Sequence, residues 1–350
     1  MEYKDKISHL LDAVGIEIDR DIQVSGRTPT TVSSEFITNK EQGDWAERLV
    51  FDAINRLDND FVAVRYGRNE DISAGDTGFK EFYKKYQDEL NTIGKKPDIL
   101  IFHKKDLPND NGLTDEQVSK AVCALEVRSS SFLVNKYNVF MKERTDNAYR
   151  EIEAAISHIK ANYLLNNLLK AKDMELYNFI SSANRNTFST IMFKKPGWRS
   201  TPALRELSDY LGIIKDNIKI IQRRDFLSIT PKIEDIALVN RWIQRYNVPH
   251  YYLQVFFDCG YIISFEDVLT ICSDGKREGH DFSIESDVKN QGKYTIKINV
   301  HSTDLILDKI EMPEHFSQMK ELERGRLLFY VTFKNSRGQL NMSIFNKIIS

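Results

Sequence analysis

Three short apolar runs, DILIF (98–102), VCALEV (122–127) and YYLQVFF (251–257), constrain the fold of this chain more than any other feature. Each has strand length and is bounded by polar or turn-forming residues, the pattern of strands covered on both faces. Each also carries a group that a buried strand does not need. Asp98 stands at the entrance of the first, Glu126 lies inside the second, and Gln254 shares a face with Tyr252 and Phe256 in the third. A strand FVAVRYG (61–67) precedes them.

Helices are expected around these strands. In NKEQGDWAERLVFDAINRL the residues Ala46, Leu49, Val50, Ala53, Ile54 and Leu57 recur at helical spacing, with Glu47 beside the apolar stripe. Residues 1–25 and FKEFYKKYQDEL (79–90) read as further helices, and SGRTPTTVSS (25–34) as a loop. SITPKIEDIALVNRWIQRYN reads as a capped helix, with Ser228 or Thr230 as N-cap, Pro231 at the first position and acids in the first turn. The order helix, strand, strand, strand, helix, strand implies an α/β fold built on a central mixed sheet flanked by helices. The second and third strands form an expected hairpin.

Four stretches follow: 1–135 with the N-terminal helices and first strands, 136–226 as a largely helical insertion, 227–274 with a crossover helix and the last core strand, and a β-rich 275–350. The insertion is predicted helical over roughly 145–180. Strand alternation marks KYTIKINV and RLLFYVTF, so the last stretch is expected to be mostly strand and turn.

No run of about 18 apolar residues exists, so no membrane span is expected. The charged N-terminus lacks an apolar signal core, and three widely spaced cysteines (Cys123, Cys259, Cys272) suggest reduced thiols, so a cytoplasmic location is expected. Those cysteines lack zinc-ligand spacing. The net charge of −2 argues against bulk electrostatic binding to a polyanion, yet 136–226 holds 16 Lys and Arg against 10 Asp and Glu. One face could meet a polyanion while the rest does not.

Asp98 and Glu126 sit at the ends of adjacent strands. Two carboxylates converging there make a hard oxygen site of the kind Mg2+ takes together with water and phosphate oxygens. Glu126 and Arg128 share one strand face, and a cation two residues on would neutralise charge developing on a phosphate. The alternative is a plain ion pair between Glu126 and Arg128 at a sheet edge.

Pro97-Asp98 followed by Glu126-Val127-Arg128 resembles the core of the PD-(D/E)XK nuclease superfamily, and Glu47 in QGDWAE matches that superfamily's inward acid on a preceding helix. More of the chain resembles AccI-type type II restriction endonucleases: EFITNKEQGDWAE, YGRNEDISAGDTGF, IGKKPDILIF, ALEVRSSSF, TPKIED, NVPHYYLQVFFD and GRLLFYVTF, in order across about a third of the residues. The resemblance implies a restriction endonuclease-like core with Asp98 and Glu126 holding Mg2+ and Glu47 supporting the metal. The superfamily lysine is replaced by Arg128, which can hold phosphate but cannot act as a base. Lys232 in TPKIED is the candidate replacement, with an ordinary first-turn lysine as the alternative. Glu234 reads as a helix N-terminal charge, and His250 as structural rather than phosphate-binding.

Double-stranded DNA is the implied partner. Candidate contacts are Arg68 and Asn69 in the loop before the hairpin, Lys194, Lys195, Trp198 and Arg199 in FKKPGWRSTP, and Arg223 and Arg224. A homodimer is expected for a palindromic target, with a cognate DNA methyltransferase as a genetic partner. The leading expectation is a Mg2+-dependent type II restriction endonuclease. The alternatives are a catalytically inactive, sequence-specific DNA-binding protein on a nuclease scaffold, and a structure-selective repair nuclease.

Overall fold

The computed structural model describes residues 10, 29, 32–67, 72, 74, 76–107, 113–188, 191–223, 225–286, 294–322 and 325–350. The predicted helix at 1–25 lies outside them, apart from the buried Leu10. Twelve strands are present among these residues: β1 (Phe61–Arg65), β2 (Ile99–His103), β3 (Cys123–Ser129), β4 (Ser228–Ile229), β5 (His250–Val255), β6 (Gly260–Ser264), β7 (Phe282–Ser286), β8 (Tyr294–Asn299), β9 (Asp304–Ile310), β10 (Glu314–Leu322), β11 (Arg326–Lys334) and β12 (Gly338–Leu340). The fold is mixed α/β around a seven-stranded mixed sheet of order β1-β2-β3-β5-β6-β9-β12. β1, β2 and β3 form an antiparallel meander, β3 and β5 pair in parallel, and the remaining pairs are antiparallel. A small sheet β4-β8-β7 and a two-stranded ribbon β10-β11 complete the β structure.

The continuous apolar runs are explained by burial on both faces. Ile99, Ile101, Leu125 and Val127 point into one core with Trp45, Leu49 and Val50 of the helix Ser34–Asn55. Leu100, Phe102, Ala124 and Tyr252 point into the other, with Ile236, Val239 and Trp242 of the helix Ile233–Tyr246. Glu126 and Arg128 alternate onto this second face, beneath the start of that helix.

That helix begins later than the sequence pattern suggests, which corrects the N-cap assignment. Ser228 and Ile229 pair with Asn299 and Ile298 of β8, and the amide of Ile296 donates to the carbonyl of Pro231 at 2.9 Å. The segment is therefore held extended to Lys232, the N-cap residue, and neither Ser228 nor Thr230 caps the helix. The chain also ends in a helix, Met342–Ile349, which buries Phe345 and Ile348. Among the described residues no helix is long and apolar enough to cross a membrane.

Residues Asn135–Asp225 form a second compact unit. It is helical, and the first of its helices, Val134–Ala161, starts well before the predicted position. Its own core gathers Ile152, Ile159, Leu165, Leu169, Leu207 and Leu211.

One glycine sets how closely the site-bearing elements of the first unit approach. Gly94 ends the helix Phe79–Ile93 at φ 86°, ψ −165°, a conformation open essentially only to glycine. A Cβ there would stand 2.2 Å from the Leu238 carbonyl oxygen and 2.8 Å from the Trp242 nitrogen, both main-chain atoms of the helix Ile233–Tyr246. The next residue, Lys95, donates its amide to that same Leu238 carbonyl at 3.1 Å. Gly94→Ala is accordingly expected to cost about 3 kcal/mol or more, from backbone strain plus a clash with an immobile main chain. Urea denaturation measures this directly; a loss below about 1 kcal/mol would contradict the close approach.

Candidate active site

Asp98 is fixed on every side before its carboxylate is considered. Its amide donates to the Leu125 carbonyl at 3.0 Å, and its carbonyl accepts from the amides of Tyr66 (2.9 Å) and Gly67 (3.1 Å). Its Oδ2 accepts from the Val127 amide at 2.6 Å, tying the end of β2 to β3. Gly67 keeps the space open, since a Cβ there would lie 3.0 Å from Asp98 Cα and 3.3 Å from Oδ1.

Glu126 lies in the middle of β3 and is 3% exposed, so its charge must be met by protein groups. Its Oε1 accepts from Lys95 Nζ at 2.7 Å and Arg128 Nη2 at 2.8 Å. Its Oε2 is buried and has no hydrogen-bond partner among the described residues. The same two cations reach a second acid, Asp235, in the first turn of the helix Ile233–Tyr246. Lys95 Nζ lies 2.6 Å and Arg128 Nη2 3.5 Å from Asp235 Oδ2. Next to Arg128 across the parallel pair is Gln254, 1% exposed, whose Oε1 accepts from the Thr230 hydroxyl at 3.5 Å.

Electrostatics divides the four acids into two pairs. Burial pushes Glu126 and Asp235 upward, but Lys95 and Arg128 outweigh it and hold both below their ordinary values. At Asp98 and Glu47 the nearby cations do not outweigh burial and the neighbouring acids. Burial, then Glu126 and Glu47, raise Asp98 well above its ordinary value. Burial, then Asp44 and Glu126, raise Glu47 to about 7. Burial pulls Lys95 downward, yet Glu126 and Asp235 raise it above the ordinary lysine value. With all groups ionised, four carboxylates face two cations, and the excess is two negative charges. That excess favours proton uptake, and a divalent cation would offset it in the same way.

A cleft of about 640 Å³ opens here, lined among others by Glu47, Lys95, Asp98, Glu126 and Arg128. Among the described residues no three His, Cys, Asp or Glu side chains form a metal cage. The donors are Asp98 and the unpartnered Oε2 of Glu126, with Glu47 beside them. That sparse oxygen set is the kind Mg2+ uses when water and phosphate complete its shell.

The structure thus brings together Asp98, Glu126, Arg128 and Glu47. Glu126 and Arg128 do form the ion pair of the alternative reading, but on a strand inside the sheet rather than at its edge. Lys232 is exposed, is the N-cap residue of the helix, and is not among the residues lining the cleft. Lys95 lines it and pairs with Glu126. Glu234 accepts from the Tyr294 amide at 2.8 Å and binds the helix start to β8. His250 is 2% exposed, with its ring against Trp242, Tyr252 and Phe265, and burial lowers it to about 4, so it is neutral.

In the helical unit, Lys194 and Arg199 are exposed, and Lys195 is half-buried with its side chain beside Gly212. Trp198 packs against that unit's core, and Arg223 is exposed and paired with Asp225 at 3.0 Å. Arg68, Asn69 and Arg224 lie outside the described residues.

Sequence reasoning missed Lys95 and Asp235. Both were in quoted motifs, IGKKPDILIF and TPKIED. Spacing along one strand does not show that a side chain three residues before Asp98 crosses to β3. Nor does it separate the structural first-turn acid, Glu234, from the site acid beside it.

The family model described as AccI restriction endonuclease matches residues 1–350, the whole chain. Neither a curated protein nor a solved structure matches it. A match running from the first residue to the last, over a chain whose buried strand ends carry this acidic cleft, places the protein in the AccI restriction endonuclease family.

Proposed function

We propose that this protein is a type II restriction endonuclease with a PD-(D/E)XK-type core, cutting both DNA strands at a specific short sequence by Mg2+-dependent phosphodiester hydrolysis. The observation that carries the reading is Asp98 at the entrance of β2 and Glu126 on the neighbouring β3, both lining one cleft, with Lys95 and Arg128 both on Glu126. Mg2+ held by Asp98 and Glu126 would supply charge neutralisation of the scissile phosphate and an acidified water. Arg128 presents a fixed cation to a phosphate oxygen. Lys95, gripped by two carboxylates, stays protonated and so stabilises developing charge rather than serving as a base. Glu47, titrating near neutrality, is matched to taking a proton from water in the cleft.

The inactive alternative was motivated by the lack of a lysine at position 128. Lys95 Nζ, 2.7 Å from Glu126, removes that motive. Exposed Lys194 and Arg199 are proposed as phosphate contacts. A homodimer, a cognate methyltransferase and a cytoplasmic location belong to the same reading.

The direct test incubates purified protein with several phage and plasmid DNAs, in Mg2+ or EDTA, beside three variants. Discrete bands are expected from the parent in Mg2+ alone, and none from Glu126→Ala. Lys95→Ala should lose about 100-fold or more in rate, as when one preorganised donor is removed. Lys232→Ala should stay within about twofold of the parent. Cleavage by Glu126→Ala, or equal losses at Lys95 and Lys232, would sink the assignment.

Glu47 also gives a pH prediction. Its folded value of about 7 exceeds the ordinary 4.5, so the folded chain keeps a proton that the unfolded chain releases. That contribution is full below pH 4.5 and vanishes as pH rises through about 7. His250, lowered from 6.5 to about 4, acts in the opposite sense: its contribution is lost as pH falls across that window. Comparing parent with Glu47→Gln isolates the first effect. Without metal, the variant should gain on the order of 2 kcal/mol relative to the parent between pH 4.5 and pH 8. Parallel stability profiles in urea would show that Glu47 is not held in this acid cluster.

A further inference from the structure

We infer that Asp235 is a positioning residue that keeps Glu126 available to a divalent cation by taking a share of Lys95 and Arg128. The inference rests on the metal-binding reading of Asp98 and Glu126. Lys95 Nζ and Arg128 Nη2 each touch both Glu126 Oε1 and Asp235 Oδ2, so two acids and two cations close a ring. The two acids differ in where they stand. Glu126 lines the cleft beside Asp98, whereas Asp235 is not among the residues lining it.

Asp235 is also the better anchored anion. It occupies the first turn of a 14-residue helix, where the helix dipole favours negative charge. Its amide donates to the Lys232 carbonyl at 3.1 Å, and Lys95 donates its own amide to Leu238 one turn on. Lys95 divides evenly between the two acids, at 2.7 Å from Glu126 and 2.6 Å from Asp235, and Arg128 lies 2.8 Å from Glu126 and 3.5 Å from Asp235, so each cation has a second partner besides Glu126. A divalent cation arriving at Glu126 draws on a carboxylate whose counter-charges already have a second home. With Asp235 neutral, both cations would lean on Glu126 alone, and a metal would have to displace them into an uncompensated site.

The experiment titrates Mg2+ into DNA-free protein by calorimetry, comparing the parent with Asp235→Asn, Asp235→Glu, Lys95→Gln and the double variant Lys95→Gln/Asp235→Asn. Asp235→Asn is expected to weaken Mg2+ binding by on the order of tenfold, the scale of losing a residue that supports a metal ligand. Asp235→Glu should recover most of that loss, which also shows that the site tolerates substitution without misfolding. In the Lys95→Gln background, Asp235→Asn should have a markedly smaller effect, because the shared lysine is gone. Equal Mg2+ affinity in parent and Asp235→Asn overturns the inference. So does an undiminished loss in the Lys95→Gln background, the signature of a general field effect. A parent that binds no Mg2+ overturns the metal-binding reading itself, and this inference with it.

Discussion

A carboxylate in the middle of a covered strand is unstable unless fixed positive charge meets it, and Glu126 is the constraint around which this structure is arranged. One of its oxygens takes both Lys95 and Arg128, and Asp235 receives the same two cations from the other side. Buried ion pairs of this kind seldom add net stability compared with an apolar core. Leucine at position 126 would suit β3 better. Retaining a charged ring in the centre of a sheet makes sense where the charges have chemistry to perform, and the family to which the chain belongs hydrolyses phosphodiesters.

The topology is what lets four different segments reach one carboxylate. β3 and β5 are parallel, and parallel neighbours need a long crossover. That connection runs through the helical unit, β4 and the helix Ile233–Tyr246, whose first turn delivers Asp235 over Glu126. The extended stretch 228–232, held along β8, sets where this helix starts and therefore which acid faces the cations. Gly94 lets the turn before β2 lie against the backbone of the same helix, so Lys95 arrives from the opposite direction. The helix Ser34–Asn55, covering the other face of the sheet, contributes Glu47.

The legibility of these features in the sequence followed the range of the interactions involved. The buried strands were readable because two-sided burial leaves an uninterrupted apolar run, and the helix Ser34–Asn55 because its stripe repeats at helical spacing. Asp98, Glu126 and Arg128 stood out as charges inside or at the mouth of such runs. Lys95 did not, because a lysine beside a proline before a strand looks like a solvated loop residue until the neighbouring strand is placed. Asp235 was hidden by register: Ser228 and Thr230 both satisfy the local rules for an N-cap, and only pairing with β8, more than 60 residues on, overrides them. The start of the helix Val134–Ala161 was missed for a milder reason, since Val139 and Phe140 on its first turns are exposed and break the amphipathic pattern.

The charge balance of the cleft also bears on how a polyanion can enter it. At the rim, Lys40 pairs with Asp44 at 3.1 Å and Lys96 with Glu89 at 3.2 Å, so the rim is compensated locally. Inside, Lys95 and Arg128 are matched by Glu126 and Asp235, which leaves Asp98 and Glu47 as the uncompensated acids. Among the described residues, the two cations inside the cleft, Lys95 and Arg128, are both already paired with carboxylates. A divalent cation held by Asp98 and Glu126 would offset these acids and, by drawing on Glu126, would leave Lys95 and Arg128 a share of charge for a phosphate, with Asp235 as their remaining partner. In the proposed reading, metal and phosphate binding are therefore coupled through the same two side chains, and an overall net charge of −2 is no obstacle to DNA once a divalent cation has neutralised the interior acids.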